Sequence, residues 1–97
     1  MGTEIKYDIM VIEQLLKATL TYRNLKEKPI SKEEFLTLRT RRMDITYYRH
    51  LYIYLLWLHL PKSTNYRQLA ELSFLYFNRD TVYDIIQKTR KLVEEED

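Results

Sequence analysis

Arginine is the side chain with most to offer chemically in this sequence, and its placement is uneven. Between residues 39 and 67 six cations (Arg39, Arg41, Arg42, Arg49, Lys62 and Arg67) stand against one carboxylate, Asp44. Residues 1–38 are balanced, and residues 68–97 carry an acidic excess ending in Glu94, Glu95, Glu96 and Asp97. A basic centre inside a chain of net charge only +2 is the footprint expected of phosphate binding. The same residues also suit a solvated loop that is merely rich in arginine. A second group, Asn78-Arg79-Asp80-Thr81, sets donors and acceptors side by side, as base edges in a DNA major groove require.

Most other chemistry is excluded. The chain has no cysteine, so disulfides, thiolate metal sites and cysteine nucleophiles are absent. Its one glycine, Gly2, leaves no glycine-rich phosphate loop, and no nucleotide or other cofactor is expected. His50 and His59 lie nine residues apart; nine steps of about 100° put them on opposite faces of a helix, so they cannot share a metal. Glu33-Glu34 is best read as a helix start, where the dipole favours carboxylates. No nucleophile or acid–base pair is marked, so an enzyme is not expected. The lack of a signal peptide suits a cytoplasmic setting, and no segment reaches the roughly 20 apolar residues a bilayer span needs.

The elements that must carry these groups read as helices. Ninety-seven residues, 45% of them apolar, make one domain with one core. Scarce glycine and proline argue against an all-β fold. Ile5, Ile9, Ile12, Leu16 and Leu20 form a stripe over a helix of about residues 4–25, broken at Pro29. Ser31 and Glu34 form a capping box, with Ile30 and Phe35 placed as a hydrophobic staple, for a short helix over about 32–38. The segment from about 46 to 60 is apolar nearly all round, the mark of a buried central helix, and Pro61 stops it. Asn65 with Gln68 opens a fourth helix over about 65–76, buried through Leu69, Leu72 and Leu75 or Tyr76. Asn78 or Asp80 caps a fifth over about 79–94, buried through Val82, Ile85, Ile86, Thr89 and Val93. Its outward face shows Arg79, Tyr83, Asp84, Gln87, Lys88 and Lys91. The expected fold is an all-α bundle of five helices.

The last two helices suit a helix-turn-helix, in which one helix braces the second and the second offers its first turn to the major groove. Taken in order, the parts resemble the C-terminal DNA-binding domain (domain IV) of the bacterial replication initiator DnaA, of the Trp-repressor-like helix-turn-helix superfamily. The resemblance spans about residues 11–96. It is carried by Val11-Ile-Glu-Gln-Leu-Leu-Lys17, the basic stretch Glu34-Phe-Leu-Thr-Leu-Arg-Thr-Arg-Arg42 and the arginine-opened helix Tyr47-Tyr-Arg-His-Leu-Tyr-Ile-Tyr-Leu-Leu56. Tyr66-Arg-Gln-Leu-Ala-Glu-Leu72 and Asn78-Arg-Asp-Thr-Val-Tyr-Asp-Ile-Ile86, followed by Gln87-Lys-Thr-Arg-Lys-Leu92, complete it.

The resemblance implies a double-stranded DNA partner. Arg39, Arg41 and Arg42 would meet the backbone and minor groove, Arg49 a phosphate, and Arg79, Asp80 and Thr81 the bases, with Arg67, Asn78 and Lys88 around them. The family's signature runs Arg-Asp-His-Thr-Thr-Val, where this chain has Asn78-Arg79-Asp80-Thr81-Val82 and lacks the glycines that usually precede it. Duplex binding is therefore expected without the family's standard site. With no ATPase module in these residues, a stand-alone domain of a phage or mobile element is expected rather than an initiator. A second reading stays open: nine tyrosines and Trp57 exceed what so small a core needs, and surplus aromatics suit a protein interface, such as a homodimer's. Asp80, Asp84 and the acidic tail favour that reading.

Overall fold

The computed structural model describes residues 9–95, and every regular element among them is a helix. These are α1 (Ile9–Lys26), α2 (Lys32–Thr37), α3 (Met43–His59), α4 (Tyr66–Ser73) and α5 (Arg79–Glu95). The expected all-α, five-helix bundle is what the chain forms. α3 is its centre, packed by α1, α4 and α5. Tyr52, Ile53 and Leu56 of α3 meet Leu69 of α4, Val82 and Ile86 of α5, and Phe35 of α2 in one fully buried cluster.

α1 differs from its expected face. The expected start at residue 4, with Ile5, lies outside the described residues. Ile12, Leu16, Thr19 and Arg23 are buried, whereas Ile9 is exposed and Leu20 half-buried. On a helical wheel Thr19 and Arg23 fall within about 20° of Ile12, while Ile9 and Leu20 stand about 60–80° away. Periodicity outranked polarity here. Thr19 satisfies its hydroxyl on the Leu15 carbonyl at 2.7 Å.

Both capping boxes form. The Glu34 amide donates to Ser31 Oγ (3.1 Å) while the Ser31 amide donates to Glu34 Oε1 (3.0 Å). Gln68 and Asn65 repeat the exchange at 2.8 and 3.0 Å. At α5 the Thr81 amide donates to Asn78 Oδ1 at 2.8 Å, so Asn78 rather than Asp80 is the cap.

Two boundaries move from their expected places. α3 starts at Met43 rather than near 46, because the Arg42 carbonyl accepts from the Ile45 and Thr46 amides (3.1 and 2.9 Å). α4 stops at Ser73 rather than near 76. The Ser73 hydroxyl donates back to the Ala70 carbonyl (2.9 Å) and accepts from the Leu75 amide (3.2 Å), a local alternative to the next helical turn. Phe74 follows at φ 61°, left-handed and 71% exposed. Leu75 turns back into the core, and Tyr76 stays at the surface. On α5 burial holds for Val82, Ile85 and Ile86, but Val93 is exposed.

Candidate nucleic-acid interface

The loop from Leu38 to Arg42 joins α2 to α3, and a helix of only six residues cannot hold it by itself. Two buried arginines do so. Arg23, at the end of α1, donates Nε to the Asp44 carbonyl (2.8 Å) and Nη2 to Asp44 Oδ2 (2.9 Å). Its Nη1 reaches Asn24 Oδ1 (2.8 Å) and the Lys28 carbonyl (2.7 Å). This clamp fixes the first turn of α3 against the end of α1.

Arg49 is the second clamp, and its position corrects the expectation that it meets a phosphate. Its side chain is fully buried. Nε donates to the Phe35 carbonyl (2.7 Å), Nη2 to the Leu38 carbonyl (2.6 Å) and more loosely to that of Glu34 (3.4 Å), and Nη1 to the Tyr76 hydroxyl (3.0 Å). The Phe35 and Leu38 carbonyls lie beyond the last bond of α2, which runs from the Leu38 amide to the Glu34 carbonyl (2.9 Å), where a helix runs out of partners of its own. Burial pulls the Arg49 pKa down, and the adjoining Tyr76 hydroxyl opposes that pull. No donor is left facing solvent.

The loop arginines divide three ways. Arg42 donates Nε to Asp44 Oδ1 (3.0 Å) and Nη2 to Oδ2 (2.7 Å). Those bonds are the main reason the Asp44 carboxyl lies below the usual carboxylate range. Arg41 is exposed and forms no ion pair among the described residues. Arg39 lays its guanidinium over the Tyr76 ring, 4.9 Å from the centroid.

That contact joins the loop to the turn between α4 and α5. Tyr76 packs on Phe77 (5.1 Å between centroids), and Asn78 caps α5 immediately after it. The amides of Arg79 and Asp80, first in the helix, have no intrahelical acceptor. Arg67, Phe77, Asn78, Arg79 and Asp80 line one shallow concavity between α4 and α5, with Glu71 on its wall. Arg79 and Asp80 are largely exposed and 3.5 Å apart, a contact that solvent makes weak.

Not every expected residue shares this corner. Arg39, Arg67, Asn78, Arg79 and Asp80 adjoin the α4–α5 turn. Asn78 already uses its side-chain oxygen as the cap, and Thr81 is half-buried behind it. Lys88 lies near His50, whose pKa is lowered first by burial and then by that lysine; along α5 it is about 13 Å from Arg79. Tyr76 and Arg23 were not expected at the site. Arg23's phase with Ile12 and Leu16 was the available signal, whereas for Tyr76 no spacing marked it. No protein-family model, curated protein or solved structure matches the chain significantly. Among the described residues no helix is long and apolar enough to cross a membrane.

Proposed function

We propose that this protein binds double-stranded DNA without catalysis, using α4 and α5 as a helix-turn-helix and the Leu38–Arg42 loop as a second, backbone-gripping contact. The observation that carries the reading is that the basic loop abuts the turn leading into α5: Arg39 covers Tyr76, two residues before the cap of that helix. Cations on the loop and free amides at the α5 start then meet one anionic rod together. Arg79 and Asp80 supply a donor fork and an acceptor for base edges. Resemblance to domain IV of DnaA supports the same reading, and a cytoplasmic role in the replication or transcription of a phage or mobile element is the setting such a stand-alone domain fits.

Fluorescence anisotropy with a labelled random-sequence duplex at low salt tests this. Binding is expected. Arg41→Ala with Arg42→Ala lowers affinity for every duplex, and Arg79→Ala relaxes preference among duplexes recovered from a random pool. No binding at low salt overturns the proposal.

A second reading rests on the aromatic side chains of α1 and α3. Tyr22 and Tyr47 are half-exposed and both pack edge-on to Tyr48 (6.0 and 5.0 Å), with Leu25 and Met43 exposed on the same two helices, α1 and α3. Aromatics of this kind suit the centre of a protein interface. A stable dimer in sedimentation with no DNA affinity would favour a self-association module.

A further inference from the structure

Neither the Leu38–Arg42 loop nor the Phe74–Asn78 turn contains a glycine, a proline or a regular element, so side chains must hold them in relation to each other. One residue touches everything that could do so. The hydroxyl of Tyr76 accepts from Arg49 Nη1 (3.0 Å), and the same guanidinium holds the Leu38 carbonyl at the root of the loop. The ring of Tyr76 lies under Arg39 (4.9 Å) and beside Arg49 (5.3 Å), so two cations approach one ring. Its other neighbour, Phe77, packs on the His50 ring of α3 at 6.1 Å. Tyr76 is thus tied to the core through Arg49 and Phe77, and only its outer face remains for Arg39.

We infer that Tyr76 is the positioning residue of the corner: it holds Arg39 in a fixed direction beside the α5 start, so that loop and helix present one preformed cationic surface. The inference rests on the DNA-binding reading for its purpose, and on geometry alone for its mechanism. A free arginine side chain samples many rotamers, and ordering it on contact with a phosphate weakens binding; a stacked guanidinium is ordered beforehand. The ring is the active part. The hydroxyl serves Arg49 and the fold.

Two variants separate those parts. Tyr76→Leu removes the ring, and Tyr76→Phe keeps it while removing the acceptor for Arg49. In DNA-free protein, NMR relaxation of the Arg39 Nε–Hε group is expected to show an ordered side chain in the wild type and in Tyr76→Phe, and a mobile one in Tyr76→Leu. Equal mobility in all three overturns the inference, whether or not the protein binds DNA. For a labelled duplex, Tyr76→Leu and Arg39→Ala are each expected to weaken binding about two- to five-fold, and the double variant no further than Arg39→Ala alone. Tyr76→Leu with Arg41→Ala should multiply. Multiplication in the Arg39 pair instead overturns the inference. Should Tyr76→Leu fail to fold, Arg39→Lys carries the test from the surface: it keeps the charge without the planar face, and should bind more weakly than the wild type though less weakly than Arg39→Ala. Wild-type affinity in Arg39→Lys overturns the inference. If Arg39 is ordered by the ring yet no duplex binds, the positioning stands and the DNA reading falls.

Discussion

Arg49→Met tests whether the buried guanidinium is a clamp or a ligand for phosphate. Methionine keeps much of the unbranched stem and removes all donors. The Phe35 and Leu38 carbonyls lose partners at 2.7 and 2.6 Å, and the Tyr76 hydroxyl loses one at 3.0 Å. A buried acceptor left unpaired costs about 1–3 kcal/mol, and removing a desolvated charge returns part of that sum. The Leu38 end of α2 lies near solvent, which lowers its share. A net loss of about 3 kcal/mol follows. That is a large fraction of the roughly 5–15 kcal/mol that holds an ordinary domain together, and corresponds to a fall in Tm of about 12–24 °C at this size. Urea and thermal unfolding, followed by far-UV circular dichroism and by the single Trp57, measure it directly. Arg41→Met, at the surface, is the control and should stay within about 0.5 kcal/mol of wild type. Equal stability of the two variants, with duplex affinity lost only in Arg49→Met, would refute the clamp and return Arg49 to the phosphates.

Two further outcomes follow from single positions. Phe74 holds φ 61° with its ring 71% exposed, so Phe74→Gly gives up little packing and relieves a left-handed cost of about 1–2 kcal/mol. After glycine's own entropy cost a gain of about 0.5–1 kcal/mol remains, read from the urea midpoint, and a clear loss would show that the ring packs after all. His50 is held below its ordinary 6.5 by burial and by Lys88, so the unfolded chain binds a proton more readily than the folded one. Its contribution is present above pH 6.5 and declines as the pH falls below that value toward the folded pKa. Unfolding at pH 5.5 and 7.5 should show this loss in the wild type and less of it in His50→Phe; an NMR titration placing His50 at or above its ordinary value would contradict it.

Fold class and starting caps were legible because they depend on neighbours in sequence. Ser31 with Glu34, Asn65 with Gln68, and Val82 with Ile85 and Ile86 are patterns within one or two helical turns, and each forms as read. The ends were less legible. α4 stops early through the Ser73 hydroxyl and the left-handed Phe74, and nothing in the sequence marks Phe74 as a residue that would accept that conformation. Arg49 was misread for a physical reason: in a helix apolar nearly all round, no polar face shows which way one arginine points. Its partners lie on α2 and in the α4–α5 turn, 11 to 27 residues away, beyond the reach of local pattern. Arg23 was different, since its place on the Ile12–Leu16–Thr19 line was visible and its charge alone argued against burial. Tyr76 could not be singled out from nine tyrosines without the fold.

In the proposed binding mode the basic loop and the start of α5 engage one duplex together. Mapping the amide shifts of ¹⁵N-labelled protein on addition of a short duplex tests it most directly. Residues 39–42 and 78–81 are expected to shift together with one dependence on DNA concentration, while Tyr22 and Tyr47 stay still. Shifts confined to the face of Tyr22 and Tyr47, or to one of the two segments without the other, would contradict it.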